Sequence, residues 1–239
     1  MKIHIIPCLQ DNYSYIIHDQ FNDYACVIDP SEAKPIINFV KKNNLKLKYI
    51  LNTHHHYDHV GGNERLKKEF GSKIIGFKGD KHRIPLIDIE LEDQEIWTSN
   101  NFEAKIFHIP GHTSGHICFH FYKNNFLFTG DTLFSLGCGR IFEGTYDEMF
   151  NSLKVIKNLP EDTLIYCGHE YTKKNAEFCL KYDPNNNELI EKIAQIKKSI
   201  SKGNPTIPST LREEIKCNIF LKAKDVEMFS KLRDLKDNF

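Results

Sequence analysis

One short stretch holds the densest set of metal-ligand side chains in the sequence: residues 53–59 read Thr-His-His-His-Tyr-Asp-His. The apolar run before it predicts a short strand. Residues two apart at the end of a strand point the same way, so His54 and His56 can bind one ion together. Asp58 and His59 follow in the turn and can face a second ion. Packing alone is a poor explanation for so many ligand-type residues together, and the segment therefore predicts a metal site.

Three more ligand-type residues each follow a predicted strand and a glycine: His112, Asp131 and His169. Glycine permits a sharp turn and a close backbone approach. Because strand ends of one sheet converge along one edge, these loops can meet there although they are distant in sequence. Together with residues 53–59 they supply five imidazoles and two carboxylates. That composition is typical of a hydrolytic site for two metal ions and unlike a closed structural zinc site.

The remaining histidines and the cysteines are expected to have other roles. His55 lies between two candidate ligands and, by strand alternation, should point away from them. His116 is expected to contact a ligand without being one. The seven cysteines are scattered and form no Cys-x-x-Cys pair, so we expect reduced thiols that fill the core. No ligand role is predicted for the other five histidines: His4, His18, His82, His108 and His120.

Charge and hydropathy exclude several classes of partner. Lysine plus arginine and aspartate plus glutamate both number 32, so no basic field attracts nucleic acid. No segment has the roughly 20 apolar residues of a membrane helix, and the apolar run at the N-terminus is too short for a signal peptide. We expect a cytoplasmic monomer that acts on a small molecule and does not bind a membrane.

The composition and the hydrophobic periodicity of the sequence change near residue 172. Before it, short strands alternate with helices, which indicates an α+β arrangement of helices layered on sheet. After it, the chain is charged and has helical periodicity, and it is interrupted by Pro205 and Pro208. The predicted domains are therefore 1–171 and 172–239, the second of them all-helical.

Residues 53–59 match the Thr-His-x-His-x-Asp-His signature of the metallo-β-lactamase superfamily, whose fold is an αββα sandwich with metals at one edge. Within that superfamily the chain resembles the glyoxalase II (hydroxyacylglutathione hydrolase) family, and the resemblance spans essentially the whole chain. The stretches that carry it are Pro-Gly-His-Thr-Ser-Gly-His at 110–116, Phe-Thr-Gly-Asp-Thr-Leu-Phe at 128–134, Gly-Cys-Gly-Arg at 137–140, Tyr-Cys-Gly-His-Glu-Tyr at 166–171 and Pro-Thr-Ile-Pro-Ser-Thr at 205–210.

The resemblance implies two divalent ions, with zinc as the first choice and iron or manganese as alternatives. It implies that one ion is held by His54, His56, His112 and Asp131, and the other by Asp58, His59, His169 and Asp131, so that Asp131 bridges. The implied reaction is hydrolysis of S-D-lactoylglutathione to glutathione and D-lactate, the second step of methylglyoxal detoxification. A hydroxide bridging the ions would attack the thioester, and Asp58 would orient it.

The resemblance also implies a glutathione site in the C-terminal part of the chain. Its residues are Arg140, Ile141, Phe142, Tyr171, Arg233 and Lys236. Without the resemblance, Arg233 and Lys236 would be taken for a solvated helix face. Phe142 replaces a tyrosine found in many relatives, so one hydroxyl contact to glutathione is expected to be missing. Ile219 and Lys222 replace a proline and an arginine, so the geometry of that loop is expected to differ from the family pattern.

Four other functions fit parts of the pattern. A lactonase of the same fold would share the metal loop but would not need Arg233 and Lys236. A mononuclear iron persulfide dioxygenase would use fewer ligands and would consume oxygen. A nuclease of the superfamily would need a basic surface that this composition does not provide. A non-catalytic interaction module would unfold on chelation without turning over any substrate.

Overall fold

The computed structural model describes all 239 residues and divides the chain into two compact units. The first unit comprises Met1–His108 and Gly115–Asn124. The second comprises Ile109–Ser114 and Asn125–Phe239. The domains expected from the sequence, 1–171 and 172–239, stay a prediction.

A six-stranded mixed sheet forms the larger part of the first unit. Its strands follow chain order: β1 (Lys2–Cys8), β2 (Asn12–Asp19), β3 (Tyr24–Ile28), β4 (Lys46–Leu51), β5 (Lys73–Phe77) and β6 (Ile89–Leu91). The first three pair antiparallel, as the sequence predicts for an opening meander. The pairs from β3 to β6 are parallel. Parallel neighbours need crossover connections, and the helices of this unit supply two of them.

The helices of the first unit cover apolar sheet residues. They are α1 (Ala33–Lys42), α2 (Tyr57–Val60) and α3 (Asn63–Phe70), with 3-10 turns at Lys78–Asp80 and Tyr122–Asn124. Helix α1 buries Ile36 and Val40, four residues apart on one face, in the cluster that contains Ile16, Ile50 and Ile74. Three further strands pair antiparallel in this unit: β7 (Ile96–Ser99), β8 (Phe102–His108) and β9 (Ile117–Phe121).

The second unit combines short strands with most of the helices. Strands β10 (Phe126–Gly130) and β13 (Leu164–Cys167) are parallel, β14 (Ser209–Thr210) pairs antiparallel with β13, and β11 (Leu133–Phe134) forms a hairpin with β12 (Gly137–Cys138). Its helices are α4 (Tyr146–Lys157), α5 (Thr172–Tyr182), α6 (Asn187–Ser201), α7 (Leu211–Cys217), α8 (Ile219–Lys222) and α9 (Val226–Asp237).

Local signals set the helix boundaries in the second unit. Thr145 and Glu148 form a reciprocal capping box at the start of α4. The charged stretch after residue 172 is two helices, because the chain turns at Pro184 and Asn186 then caps α6 by accepting from Leu189 N. β14 is a two-residue strand in the otherwise helical C-terminal region.

All seven cysteines are buried and none forms a disulfide, in agreement with their predicted role in the core. None of the helices combines the length and the apolar character needed to cross a lipid bilayer.

Candidate metal centre

The metal-ligand loop of the first unit begins against Asp29, at the end of β3. Asp29 has a left-handed backbone (φ 46°), which aspartate tolerates better than most residues. Its Oδ1 accepts a hydrogen bond from Thr53 N at 2.8 Å, and its Oδ2 accepts from Thr53 Oγ1 at 2.6 Å. Thr53 Oγ1 also lies 3.0 Å from His54 Nδ1. These contacts hold the ring of His54 by Nδ1 and direct its Nε2 to the opposite side.

His54 and His56 point to the same place, as predicted, although β4 ends at Leu51 and both residues lie in the loop after it. His54 Nε2 lies 3.1 Å from His56 Nδ1, and the ring centroids are 4.7 Å apart. His55 faces elsewhere: its Nδ1 lies 3.3 Å from Asp80 Oδ2. The pair His54 and His56 therefore presents two nitrogen donors to one point.

A second pair of donors comes from α2. His59 Nε2 lies 3.7 Å from Asp58 Oδ2, and His59 Nδ1 lies 3.0 Å from Asp29 Oδ2. Asn12 Nδ2 donates to Asp58 Oδ2 at 3.0 Å and to the Asp58 carbonyl oxygen at 3.1 Å. A hydrogen bond at the far nitrogen orients a ligand histidine, and Asp29 makes this type of contact to His59. The buried residues Asp29, His54 and His59 have donor atoms within 4.8 Å of one another.

His116 supports this loop without being one of the paired donors. Its ring is buried and stacks on the ring of His54, with centroids 4.6 Å apart and planes inclined by 19°. Its neighbour Ile117 donates from N to Thr53 O at 2.8 Å. The loop before β9 therefore restrains both the backbone and the ring at the start of the ligand segment.

The second unit contains the other three candidate ligands, arranged around Asp131 after β10. Asp131 Oδ2 lies 3.2 Å from His169 Nε2 and 3.6 Å from His112 Nε2. His112 Nδ1 lies 2.8 Å from the Arg140 carbonyl oxygen, so its far nitrogen is also fixed. A β-carbon at Gly139 would overlap the Asp131 carbonyl oxygen, so this turn needs glycine.

The donors within each unit have the chemistry of metal ligands. His54, His59, His112, His169 and Asp131 are all buried. Burying several imidazoles and a carboxylate is costly unless they are hydrogen-bonded, paired or bound to a metal. Imidazole nitrogen and carboxylate oxygen suit divalent metal ions, and the far nitrogens of His54, His59 and His112 are held. The residues present therefore fit the divalent ions expected from the sequence.

Two aromatic side chains lie beside the donors of the second unit. Tyr171 stacks on His169 with centroids 4.7 Å apart and planes inclined by 6°, and Phe134 packs against Tyr171 at 5.2 Å. Phe142 is exposed, and its ring centroid lies 5.1 Å from that of His112. Ile141, between Arg140 and Phe142, is exposed only in part. These contacts place four of the predicted glutathione residues close to the proposed ligands.

Arg233 is buried rather than solvated, with 3% of its surface exposed. Its Nη1 donates to the Cys138 carbonyl oxygen at 2.6 Å, and its Nη2 lies 2.9 Å from Asp237 Oδ1. Asp237 Oδ1 also lies 3.4 Å from Nε of Arg140, whose side chain is exposed. Asp237 therefore connects two of the predicted glutathione residues, and Arg233 holds the strand that precedes Arg140.

Lys236 is half-buried between aromatic rings. Its Nζ lies 5.0 Å and 5.2 Å from the ring centroids of Phe178 and Phe239, and it donates to the Lys174 carbonyl oxygen at 3.2 Å. Burial, followed by the positive charge of Arg233, lowers the pKa of Lys236 to about 8. The side chain of Lys236 therefore loses its proton at mildly alkaline pH, well below the pH at which an exposed lysine does.

Sequence reasoning missed Asp29, Thr53 and Asn12 as supports of the ligands. The sequence Asp29-Pro30 at the end of a strand indicates only a turn. Its position at the end of a strand, in the same sheet as the strand before the ligand loop, is the signal that could have indicated the role of Asp29. Asn12 carried none, because its contact with Asp58 spans distant parts of the chain.

Comparisons with known proteins identify the family of the chain. Residues 9–169 match the family model described as the metallo-beta-lactamase superfamily, and residues 170–239 match the model described as the hydroxyacylglutathione hydrolase C-terminus. The hydroxyacylglutathione hydrolase of Pelagibacter ubique is 64% identical over 239 residues, covering 100% of both chains. That of Maricaulis maris is 41% identical over 253 residues, covering 100% of this chain and 99% of the relative.

Solved structures confirm the predicted α+β fold. The crystal structure of ETHE1 from Myxococcus xanthus superposes with a TM-score of 0.76 at 22% identity, covering 98% of this chain and 90% of that one. At this identity the likeness shows the fold alone, which is the metallo-β-lactamase fold with a C-terminal helical region. The chain therefore belongs to the metallo-β-lactamase superfamily and, within it, to the hydroxyacylglutathione hydrolase family.

Proposed function

We propose that this protein hydrolyses S-(2-hydroxyacyl)glutathione, with S-D-lactoylglutathione as the substrate, to glutathione and the 2-hydroxy acid. The observation that carries the proposal is the pairing of donor atoms. His54 Nε2 and His56 Nδ1 converge in one unit, and Asp131 Oδ2 lies between His112 and His169 in the other. Full-length similarity to hydroxyacylglutathione hydrolases supports the substrate class.

The proposal assigns two divalent ions to the seven donors. One ion would be held by His54, His56, His112 and Asp131, and the other by Asp58, His59, His169 and Asp131. The far-nitrogen contacts of His54, His59 and His112 support these assignments, since they orient the rings. Zinc is the first choice, and iron and manganese suit the same donors.

Divalent ions bound there would lower the pKa of water from about 15.7 toward 7 and polarise the thioester carbonyl. Asp58 is held by Asn12 and can accept a hydrogen bond from the attacking water, which orients the water's lone pair toward the carbonyl carbon. The new C–O bond forms first and places negative charge on the carbonyl oxygen, and the proton of the water passes to solvent. The C–S bond then breaks as the carbonyl re-forms. The leaving thiolate, with a usual pKa of about 8.5, needs no dedicated general acid.

Glutathione carries two carboxylates and one ammonium group, and the second unit offers matching side chains. The exposed guanidinium of Arg140 can bind a carboxylate with two hydrogen bonds. Lys236 supplies a second cation, and Tyr171 and Phe142 supply ring surfaces beside the proposed ligands, with Ile141 between Arg140 and Phe142. Arg233 is retained as a carboxylate ligand in the proposal, although its contacts with Cys138 and Asp237 must then rearrange.

The proposal includes the domain assignment, with 1–171 catalytic and 172–239 binding glutathione. The two family matches, which meet at residues 169 and 170, support it. It also includes a monomer that binds neither nucleic acid nor membrane, and a cytoplasmic location, because glutathione is the thiol that keeps that compartment reducing.

The test is a comparison of substrates with the purified, metal-loaded protein. Released thiol is measured with S-D-lactoylglutathione, and ring opening is measured with acyl lactones. We expect rapid thiol release and little lactone hydrolysis. Preferential lactone hydrolysis would identify a lactonase, and oxygen uptake with one ion bound would identify a dioxygenase; either result would overturn the proposal.

A further inference from the structure

A fully buried carboxylate outside the proposed ligand set belongs to Asp80, at the end of the 3-10 turn Lys78–Asp80. Arg83 binds it from the next turn: Nε lies 3.0 Å from Asp80 Oδ1, and Nη2 contacts the same oxygen. A buried carboxylate is costly without a partner, and the guanidinium compensates its charge. Both partners are committed to a contact that no step of the proposed reaction uses.

The second oxygen of Asp80 is directed at the metal-ligand loop. Asp80 Oδ2 lies 3.3 Å from Nδ1 of His55, whose side chain is only 18% exposed. His55 stands between His54 and His56, and its Nδ1 faces Asp80 rather than the point where those two converge. The carboxylate therefore lies against the one ring of the three that is outside the proposed ligand set.

The loop before β9 closes the other side of Asp80. A β-carbon at Gly115 would overlap the Asp80 carboxylate, so the backbone there approaches the carboxylate as closely as glycine allows. The next residue, His116, stacks on His54 at 4.6 Å. Two consecutive residues thus pack against the anchor of His55 and against the ring of His54.

We propose that Asp80 is a positioning residue for the metal-ligand loop. Held by Arg83 and packed against Gly115, it restrains the ring of His55 and with it the short loop after β4, from which His54 and His56 project on either side of His55. This inference rests on the proposed function, because it presupposes that His54 and His56 bind an ion. It assigns Asp80 no contact with substrate or ion.

A purely structural role for Asp80 makes a different prediction. The turn at residues 80–84 also has backbone hydrogen bonds from Arg83 N and Ile84 N to the Asp80 carbonyl oxygen, at 2.8 and 2.9 Å. These do not involve the side chain and would survive its replacement. If the carboxylate only supported this turn, its loss would lower stability and leave the affinity of the folded protein for metal unchanged.

The test uses Asp80→Asn, which keeps the shape and removes the charge. Asp88→Asn is the matched control, because Asp88 is also bound by a cation, Lys67 at 2.6 Å, and by a backbone amide, Ile74 N at 2.8 Å. The apparent Kd for Zn²⁺ is measured by chelator competition, with the visible spectrum of the Co²⁺ form and thermal unfolding of the apo form alongside. We expect Asp80→Asn to weaken Zn²⁺ binding about tenfold, at the lower end for groups that orient ligands, and to shift the Co²⁺ spectrum. Asp88→Asn should do neither.

A second pair of variants covers the case in which Asp80→Asn does not fold. His55→Ala removes the ring from a partly exposed position, whereas His55→Asn keeps a nitrogen donor close to the position of Nδ1. We expect His55→Ala to weaken Zn²⁺ binding about tenfold and His55→Asn to restore most of it. In the apo proteins, the imidazole ¹⁵N signals of His54 and His56 should move with His55→Ala and not with Asp88→Asn.

The outcomes separate this inference from the proposed function. If the wild-type protein binds no Zn²⁺ or Co²⁺, the proposed function itself fails, and this inference fails with it. If the wild type binds the ions and Asp80→Asn or His55→Ala binds them equally well, only the positioning role of Asp80 is overturned. Equal weakening by Asp88→Asn would also overturn it.

Discussion

His169 Nε2 lies 3.2 Å from Asp131 Oδ2, and this contact brings together the ends of two neighbouring parallel strands. His112 Nε2 approaches the same oxygen at 3.6 Å. One carboxylate between two imidazoles is the arrangement expected of a ligand that serves two ions. Asp131 is therefore the residue whose loss should have the largest effect on the proposed site.

We expect Asp131→Asn to lose bound metal and to lower kcat/KM by more than about 100-fold, beyond the usual effect of a group that only orients a ligand. The physical reason is that the amide has lost the charge that compensates the ions. Metal content by elemental analysis and steady-state thiol release measure the effect. Asp162→Asn is the control, since that exposed carboxylate accepts from Asn125 Nδ2 at 2.9 Å and is outside the proposed ligand set. Unchanged metal content in Asp131→Asn would show that Asp131 is not a ligand.

Thr53→Val tests the support behind His54. The change keeps the side-chain volume but removes the hydroxyl that donates to Asp29 and lies 3.0 Å from His54 Nδ1. We expect metal affinity to fall about 10-fold to 100-fold with the fold retained. Thr98→Val, at an exposed position of β7, should bind metal like the wild type. Identical metal affinities for Thr53→Val and Thr98→Val would show that the Thr53 hydroxyl does not support His54.

The pH dependence of KM tests Lys236. Its pKa of about 8 lies below the usual value for lysine, so the ammonium is charged below pH 8 and becomes neutral above it. If it binds a glutathione carboxylate, KM should rise between about pH 7 and 9 as that charge is lost. In Lys236→Met the KM should already be raised at pH 7 and should change little over this range. Dividing the KM of Lys236→Met by that of the wild type at each pH removes the effect of other titrating groups. A ratio that does not change with pH would contradict the role of Lys236 as a carboxylate ligand.

Arg233→Ala distinguishes a ligand from a support. The guanidinium bonds Cys138 O and Asp237 and packs over the ring of Phe220, so its removal should cost about 2 kcal/mol of stability. Chemical unfolding measures that cost. A ligand role adds a higher KM for the thioester at temperatures where the variant is folded. An unchanged KM would leave Arg233 as a support of the strand before Arg140.

Glu214 is a buried carboxylate outside the proposed ligand set, and its replacement tests how burial affects the stability of the folded protein. Its carboxylate accepts from Leu136 N at 2.8 Å and from Asn218 Nδ2 at 3.0 Å, and burial raises its pKa. A raised folded-state pKa means that its stabilising contribution is present at low pH and is lost as pH rises through that pKa. Glu214→Gln keeps the acceptor oxygen, so its stability relative to the wild type should increase from pH 5 to pH 8.

Glu214→Leu is the contrasting variant. It removes the acceptor of Leu136 N, at about 1–3 kcal/mol for the buried amide. Asn218 Nδ2 loses one acceptor but still donates to the Gly137 carbonyl oxygen at 3.1 Å. Urea unfolding at both pH values measures all three proteins. A leucine variant as stable as the wild type would show that this buried network contributes nothing.

The proposed ligands could be predicted from the sequence because they follow predicted strands or lie in a donor-rich segment. Asp131 and His169 each follow a strand and a glycine, and the 53–59 segment is so rich in donors that packing does not explain it. Strand period then predicted that His54 and His56 would point together and His55 away, and the structure has that arrangement.

The supporting contacts were not readable, because they join residues far apart in sequence. Asp80 lies in a turn whose Gly-Asp sequence looks like any exposed turn, and its contact with His55 depends on how two loops of one unit pack. Arg233 lies in a charged helix that reads as a solvated face, yet it is buried because Cys138 and Asp237 supply its partners. The break between α5 and α6 did have a signal, Pro184 followed by the capping residue Asn186.

Metal add-back to the chelated protein shows whether hydrolysis depends on two bound ions. Zn²⁺ is added in steps to the apo protein, and thiol release from S-D-lactoylglutathione is measured against the number of equivalents bound. We expect no turnover without metal and a maximum rate at two equivalents per chain. Full activity in the metal-free protein, or a plateau at one equivalent, would contradict the proposal.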